Sequence, residues 1–389
     1  MATAPSTIRS SYVPTGDRVD HIRHDIDEAI GNRIHESIRG ELPKLTSSLT
    51  APDFCRVLLK RHDAITDKAE HKRFDVQNAN DEMVVRTALS SAPIVETFST
   101  VVGDKMALAF NAEPDSTLDW TGELPAVNFL PASIFTLESE SRLEMATKGR
   151  AAHSISFGTK GQHWGIARYA GRFVLDEQNM LDGQHVGAVL LASAQLAAAA
   201  RRLRPDLVYS LLLGNPTLEA DNVVLFHATH SNYASGGGSA LTATSLDTAI
   251  SGIGLQHLTD DEGDPIHSNL QAKYLMVPPQ LVGAGRRAVR NMLCDDDAFE
   301  VRQESRLSAL GVVNPKTNTV ASGTATNWLL AAPSGSRPSI VVGGLNGNLM
   351  PQVRRFDLDR GQWGVGWDVT LDIGGAAIDY RSVYFAAGA

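Results

Sequence analysis

Two stretches of alternating apolar and polar residues constrain the fold of this chain more than any other feature. In the first, IFTLESESRLEM, one face carries the apolar side chains of Phe135, Leu137, Leu143 and Met145. The second, HWGIARYAGRFVL, covers residues 163–175, and the turn region before it contains Gly158, Lys160 and Gly161. Together they predict a long β-hairpin with few apolar residues near its tip. Because an isolated two-stranded hairpin is marginal in water, this arm needs a partner surface, which a second subunit would supply.

The strongest helix prediction covers residues 184–213, a stretch rich in Ala and Leu, which have high helix propensity. Arg204-Pro205 is expected to break or kink this helix, because proline lacks a backbone donor and clashes with the preceding turn. Residues 240–345 then alternate helix and strand signals, with KYLMVPP as a short buried strand. The closing stretch predicts two β-strands separated by Gly374-Gly375. The overall prediction is an α+β fold.

The first part of the chain is predicted to form an extended arm followed by helices. Residues 1–16 are typical of an extended arm, and the helix predicted after them has a narrow apolar stripe, formed by Ile22, Ile26, Ile30, Ile34 and Ile38. A stripe this thin cannot form the core of its own domain, so we expect it to pack on something larger. In residues 83–110, helical spacing is interrupted by Pro93, which is expected to begin a helix at its first turn.

Composition excludes some classes of protein. The formal net charge is −9, which argues against a protein that grips the phosphate backbone but not against a container whose wall faces nucleic acid. No stretch approaches the roughly 20 apolar residues of a membrane span. Cys55 and Cys294 match no metal-binding spacing, and a reducing cytoplasm is the simpler interpretation.

A metal site is the most tempting chemical interpretation. His227 and His230 are three residues apart in LFHATHSNY, with His257 and His267 downstream. Such a cluster would suit a metal-dependent hydrolase, but HxxH without a nearby Glu is a weak signal, and a surface or hydrogen-bonded structural pair fits it better. No nucleophile elbow or phosphate-binding loop is present. The sequence therefore predicts no enzyme, no catalytic residue, no metal and no cofactor.

Four basic residues lie in the sequence around the predicted hairpin tip. Arg142, Lys148, Arg150 and Lys160 are the candidate contacts between subunits. Two interpretations remain open for them: docking to an acidic neighbour, or ordinary solvation of surface charges.

Several segments, in order, resemble one protein family. ARYAGRFVLDEQNMLDGQ (167–184), the helical AQLAAAARRLRPDLVYSLLLGNP, LFHATHSN (225–232), KYLMVPPQL (273–281) and the closing DIGGAAIDYRSVYFAAGA are similar to segments of Mu-like major head subunits of tailed bacteriophages. The resemblance runs from about Met83 to the end of the chain. Residues 1–82 match that family poorly.

The resemblance implies the Hong Kong 97-type capsid fold. On this chain it implies an N-terminal arm or helical extension (1–82), the first part of a peripheral domain (83–133) and an E-loop hairpin (134–175). It further implies a peripheral domain with a long spine helix (176–239), an axial domain (240–345) and a β segment that returns to the peripheral domain (346–389).

The implied function is that of a major capsid protein, which self-assembles as hexamers and pentamers into an icosahedral shell around double-stranded DNA. Its partners would be copies of itself, a portal, scaffold or decoration proteins, and packaged DNA contacted non-specifically at the inner wall, with no membrane. It would be a virion protein assembled in the host bacterial cytoplasm. The first alternative function is an encapsulin-like compartment, which shares the implied fold and differs in its contents. The second is a metal-dependent hydrolase, which would retain its metal on purification. A tail or baseplate structural protein is a third alternative.

Overall fold

The computed structural model describes residues 18–40, 49–66, 79–137, 159–182, 186–259, 264–292, 299–335, 337–356, 358 and 364–388. These residues contain eight α-helices: α1 Arg18–Ile38, α2 Ala51–Thr66, α3 Asp81–Ser90, α4 Ala92–Ala112, α5 Glu177–Leu181, α6 Val186–Gly214, α7 Ala243–Gly254 and α8 Val282–Met292. None of the helices in these ranges is long and apolar enough to cross a membrane.

The same described residues contain sixteen β-strands. The described residues form β1 Gly122–Glu123, β2 Ala132–Leu137, β3 Thr159–Trp164, β4 Ala167–Asp176, β5 Tyr233–Ala234, β6 His257–Thr259, β7 Pro265–His267, β8 Tyr274–Val277, β9 Glu300–Gln303, β10 Val312–Val313, β11 Val320–Ala321, β12 Trp328–Ala331, β13 Ile340–Gly344, β14 Gln352–Phe356, β15 Gly364–Ala377 and β16 Val383–Ala386. The predicted α+β class is confirmed.

The chain divides into two compact units. Unit 1 takes the described parts of Met1–Pro114, Arg168–Arg201 and Met350–Leu371, and unit 2 takes those of Asp115–Ala167, Arg202–Leu349 and Asp372–Ala389. Helix α6 and strand β15 each contribute residues to both units.

Unit 1 is built on a helical core. Ile34 and Ile38 of α1 are fully buried, and the Thr97 hydroxyl of α4 donates a hydrogen bond to the carbonyl of Gly31 at 3.2 Å. The expectation that the isoleucine stripe packs on a larger body is therefore confirmed for this end of α1. Pro93 lies in the first turn of α4, also as predicted.

A short β-structure covers one side of this core. Strands β14 and β15 are antiparallel, with Gln352 opposite Thr370, and β4 also pairs with β15. The buried ring of Trp367 in β15 stacks on Phe173 of β4, with ring centroids 5.0 Å apart, and its indole N–H donates to the hydroxyl of Ser99 in α4 at 3.0 Å. One side chain thus connects the sheet to the helices of unit 1.

Replacing Trp367 by alanine is expected to lower the free energy of unfolding by about 3–5 kcal/mol, because loss of the large buried ring leaves a cavity and the Ser99 hydroxyl loses the indole N–H that donates to it. Trp367→Phe, which keeps most of the ring volume, should cost less than half as much. Denaturant unfolding followed by circular dichroism measures both. Wild-type stability in Trp367→Ala would contradict this account of the core.

Unit 2 contains a mixed five-stranded sheet in the order β5-β16-β12-β8-β9. Strand β12 is antiparallel to β16 and β8, whereas β8 and β9 are parallel. All residues of β8 and β12 are buried, so the predicted buried strand in KYLMVPP is confirmed. Helices α7 and α8 pack on this sheet through a shared core that includes Leu246, Ala249, Ala288 and Val289.

Of the two outcomes predicted at Pro205, a break or a kink, the break is wrong. Helix α6 continues through Pro205 to Gly214, although Pro205 cannot donate a hydrogen bond to the carbonyl of Arg201. Packing after the proline compensates for this loss: Val208 and Tyr209 are fully buried in unit 2. In addition, the buried guanidinium of Arg204 donates to Glu123 at 2.7 Å and to the Thr121 hydroxyl at 2.9 Å.

Gly374-Gly375 also does not separate two strands. Strand β15 runs through both glycines, and Val342 and Gly343 of β13 pair with them. A Cβ on Gly374 would lie 2.2 Å from the carbonyl oxygen of Gly165, so the first glycine allows close backbone approach within unit 2. The pair is a packing feature rather than a turn.

Candidate functional site

The predicted hairpin exists, but its second strand differs from the prediction. Strands β2 and β3 are antiparallel, with Ala132 opposite Trp164 and Leu137 opposite Thr159. Strand β3 ends at Trp164 and β4, which begins at Ala167, pairs with β15 instead, so the predicted continuous strand 163–175 is two strands. Strands β2 and β3 form a two-stranded sheet and pair with no other strand of the described residues.

The charged candidates lie mostly beyond the described part of the hairpin. Arg142, Lys148 and Arg150 fall outside the described residues. Lys160 was placed in the turn region, yet its backbone lies in β3 opposite Thr136. The strand therefore begins earlier than the glycines of this region suggested.

An apolar groove lies at the base of this hairpin, entirely within unit 2. It has a volume of about 360 Å³ and is lined by residues 124–128 and 130 together with Ala132, Ser133, Ile134, Trp164 and Gly165. Trp164 is only 6% exposed and packs with Ala126, Ile166 and Ala376. We call this surface the hairpin-base groove.

Large apolar side chains at and beside the groove face solvent. Val127 is 84% exposed, Leu130 70% and Phe135 69%, and the ring of Phe129 is 44% exposed. Single exposed apolar side chains are ordinary, but four within nine residues of sequence make this segment a candidate interaction site.

The backbone beneath the groove is fixed by close packing. The Leu124 N–H donates to the Val342 carbonyl at 3.0 Å, and the Ala126 N–H donates to that of Gly344 at 3.0 Å. A Cβ on Gly343 would lie 2.0 Å from the Leu124 carbonyl oxygen and 2.5 Å from the Trp164 ring. Only glycine allows β13 to approach the hairpin base this closely.

A loop from the end of α6 also holds the hairpin base. The Glu219 carboxylate accepts hydrogen bonds from Nδ1 of His163 at 2.6 Å and from the His163 backbone N–H at 3.2 Å. The Glu219 backbone N–H donates to the side-chain oxygen of Gln162 at 2.8 Å. The hydrogen bond from the His163 side chain lowers the pKa of Glu219 below its ordinary value.

Acid is expected to release this contact. Because the folded-state pKa of Glu219 is lowered, its contribution is complete above the unfolded pKa and is lost as the pH falls through the folded value. The protection of the His163 amide against hydrogen exchange should therefore fall as the pH drops through the lowered pKa of Glu219. In Glu219→Ala, the protection should already be low at neutral pH. Equal protection in wild type and variant at neutral pH would contradict this role.

The candidate metal pair is a hydrogen-bonded structural feature. His230 is buried, and its ring nitrogens lie 2.8 Å from a carboxylate oxygen of Asp221 and 3.1 Å from the Leu225 carbonyl. The ring stacks on Tyr380 at 3.9 Å between centroids. His227 is exposed and contacts the Thr229 hydroxyl at 2.8 Å. Both nitrogens of His230 are thus engaged in holding the loop together.

The remaining candidate residues are the histidines of β6 and β7 and the two cysteines. His257 and His267 are exposed and face each other across β6 and β7. No group of three His, Cys, Asp or Glu side chains within the described ranges could hold a metal ion. Cys55 is a buried free thiol whose pKa burial raises to about 12, and Cys294 lies outside those ranges.

Sequence reasoning missed the hairpin-base groove. Residues 113–131 are punctuated by Pro114, Pro125 and Pro131. The signal was present in VNFLP, where three large apolar residues follow Pro125 within a segment too short and too rich in turn residues for a core element.

Comparison with known proteins identifies the class. A family model described as phage capsid protein matches residues 163–386, more than half of the chain. The chain therefore belongs to the phage capsid protein family. The predicted function, a phage major capsid protein, is confirmed, and the protein is a component of the virion.

Solved structures similar to this chain include phage capsids and an encapsulin complex. The capsid of cyanophage P-SCSP1u is 9% identical, with a TM-score of 0.47, over 70% of this chain and 88% of that chain. The procapsid of bacteriophage JBD30 is 11% identical, with a TM-score of 0.43, over 75% of this chain and 74% of that chain. The SrpI encapsulin of Synechococcus elongatus PCC 7942 is 11% identical, with a TM-score of 0.41, over 68% of this chain and 84% of that chain. No curated protein matches the chain.

Proposed function

We propose that the chain builds the shell of a tailed-phage head with the Hong Kong 97-type arrangement, as hexamers and pentamers around double-stranded DNA. The observation that carries this proposal is the hairpin-base groove. It exposes apolar side chains beside a hairpin that pairs with no other strand of the described residues. Both features are unfavourable in an isolated subunit and become favourable when a second copy covers them.

The contact energies are of the right size for assembly. Burying a Val, Leu or Phe side chain that was exposed stabilises an interface by about 1.5–3 kcal/mol. Val127, Leu130 and Phe135 are all more than two-thirds exposed. In a closed shell every subunit repeats the same contacts, and modest contacts act together through high effective concentration.

We assign parts of the chain to parts of a head subunit on this basis. The hairpin within residues 134–175 is the E-loop, α6 is the spine helix, and residues 240–345 form the axial domain. Residues 1–82 are the arm or helical extension, and residues 346–389 return to the peripheral domain. The cationic side chains at the hairpin, those of Arg142, Lys148, Arg150 and Lys160, contact an acidic surface of the neighbouring copy.

The protein acts through geometry rather than catalysis, without a cofactor. The hydrogen bonds of His230 support this, because both ring nitrogens serve the fold. Its further partners are a portal, scaffold or decoration proteins, and packaged double-stranded DNA that is contacted non-specifically at the inner wall. The chain is a head subunit of the Mu-like type, which segments of its sequence resemble, and assembly takes place in the host bacterial cytoplasm.

Expression of the chain alone tests the proposal. Size-exclusion chromatography and negative-stain electron microscopy should show shells, tubes or capsomer rings. A homogeneous monomer that stays monomeric at high concentration, with one equivalent of tightly bound metal, would overturn the proposal in favour of a hydrolase.

The contents of the particle separate a phage head from an encapsulin-like compartment. Particles purified from infected cells should contain double-stranded DNA and a portal vertex. A specific protein cargo in place of DNA would assign the chain to the compartment class.

A further inference from the structure

Two histidines lie directly opposite each other on strands β6 and β7. His257 of β6 pairs with His267 of β7 in the antiparallel register, and both side chains are exposed. Directly opposite residues of two antiparallel strands project from the same face of the sheet. The two imidazole rings are therefore neighbours on one surface of unit 2, and we call them the histidine pair.

The backbone hydrogen bonds show how close these two positions are. The Ser268 N–H donates to the Gln256 carbonyl at 3.4 Å, which makes these two residues a hydrogen-bonded pair of the ladder. Because hydrogen-bonded and non-hydrogen-bonded pairs alternate along antiparallel strands, His257 and His267 form a pair of the second kind. In such a pair the Cα atoms are only about 4.5 Å apart and the side chains are closest. Two imidazole nitrogens can then reach one metal ion, each at about 2.0–2.1 Å.

Contacts with the rest of unit 2 hold strand β6 in place. Gln256 and Leu258, which flank His257, are both buried. The Gln256 side-chain amide donates to the His230 carbonyl at 2.8 Å. The guanidinium of Arg381 donates from Nε to the carbonyl of His257 at 3.1 Å. The backbone that carries His257 is thus fixed before a ligand binds, so binding loses little conformational entropy.

A hydrogen bond of the His257 ring determines which nitrogen is available. Its Nδ1 lies 3.2 Å from the carbonyl oxygen of Leu255, an atom that can only accept. In the neutral ring Nδ1 therefore carries the proton, and the free lone pair is on Nε2. Metal-binding histidines are typically oriented in this way, by a second hydrogen bond to a backbone carbonyl or a carboxylate. His230 differs, because both of its nitrogens are used within the fold.

We propose that the histidine pair binds one divalent transition-metal ion, with water completing the coordination. Neutral imidazole is a preferred ligand of Cu²⁺, Ni²⁺ and Zn²⁺, whereas Mg²⁺ and Ca²⁺ prefer oxygen ligands. With two protein ligands the site is weaker than a structural zinc site and lacks the three ligands of a catalytic one. It lies within a single copy, so it does not rest on the proposed function.

A bound ion stabilises a part of the fold that has little other support. Strands β6 and β7 form a two-stranded sheet that pairs with no other strand in the part of the chain that the structure describes. Two strands alone are marginal in water. An ion held by one ligand from each strand joins them, and it stabilises the paired state by mass action. Added Ni²⁺ should therefore slow hydrogen exchange of the Leu258 and Ile266 amides.

Calorimetric titration of the full, untagged chain with Ni²⁺ tests the site. Wild type should bind one equivalent at this site, and His257→Ala and His267→Ala should each weaken that binding about a hundredfold or more. The reason is that the second imidazole meets the ion at a high effective concentration. Equal affinity in wild type and both variants would overturn the inference, and so would tighter binding of Mg²⁺ or Ca²⁺ than of Ni²⁺.

His227→Ala is the matched control. His227 is also exposed, but its neighbour His230, with ring centroids 6.4 Å apart, uses both nitrogens within the fold. Its replacement should leave the affinity for Ni²⁺ within about twofold of wild type. Circular dichroism checks that every variant is folded. A loss of binding in His227→Ala as large as in His257→Ala would overturn the assignment to the histidine pair.

Electron paramagnetic resonance with one equivalent of Cu²⁺ counts the nitrogen ligands directly. Cu²⁺ is the probe because it binds nitrogen ligands most tightly among these ions. Wild type should show two coordinated imidazole nitrogens, and His257→Ala and His267→Ala should each show one. A single nitrogen in wild type, or an unchanged spectrum in the variants, would contradict the inference. The two-nitrogen signal in a chain that forms no shells would uphold the site and count only against the proposed function.

Discussion

A chain carrying Leu130→Asp and Phe135→Asp is expected to fold normally and to form no shells. Both side chains are about 70% exposed in the single copy, so their replacement removes little from the core of unit 2. At a contact between copies, each carboxylate would be buried without a partner, which costs several kcal/mol on top of the lost apolar contact. Since every 1.4 kcal/mol is a factor of ten, we expect the critical concentration to rise at least about a hundredfold.

Conservative variants at the same positions are the matched control. Leu130→Met and Phe135→Leu keep the apolar surface and should assemble at close to the wild-type concentration. Light scattering gives the critical concentration, and thermal unfolding gives the stability of each variant. Shells formed by the aspartate variant at wild-type concentration would show that the hairpin-base groove is not covered in the particle.

Gly343→Ala is expected to destabilise unit 2 and displace the hairpin base. The added Cβ would meet the Leu124 carbonyl oxygen at 2.0 Å and the ring of Trp164 at 2.5 Å, so the backbone itself must move. Overpacking of this kind costs about 1–3 kcal/mol or more, which lowers the melting temperature by several degrees. The exposure of Trp164 should rise, and acrylamide quenching of tryptophan fluorescence should increase.

Gly238→Ala provides the control, because a Cβ at Gly238 meets no atom within 4 Å. This second glycine also lies in unit 2, and its replacement should leave the melting temperature within about one degree of wild type. If both variants melted alike, the close approach of β13 to the hairpin base would not be a determinant of the fold.

Elements whose environment is uniform along their length could be predicted from the sequence. Strand β8 lies in an apolar run ended by prolines, and all of its residues are buried. Helix α4 has Pro93 in its first turn, as the spacing indicates. In such segments local propensity and tertiary packing agree, so the pattern alone is sufficient.

Elements that depend on distant contacts could not be predicted. Proline at position 205 indicates a break when only α6 is considered, yet Arg204 binds Thr121 and Glu123 and the following turn is buried. The division of residues 159–176 into β3 and β4 depends on which strand each part pairs with. Alternation predicts a strand but does not identify its partner.

The hairpin-base groove shows the same limit. The composition of VNFLP reveals apolar residues, but their exposure follows from the way β13 and Trp164 fill the space beneath them.

A cryo-electron microscopy reconstruction of the assembled particle tests the central claim most directly. The account predicts a closed shell in which side chains of a neighbouring copy fill the hairpin-base groove and cover Val127, Leu130 and Phe135. A shell in which these three side chains remain open to solvent in every copy would contradict it.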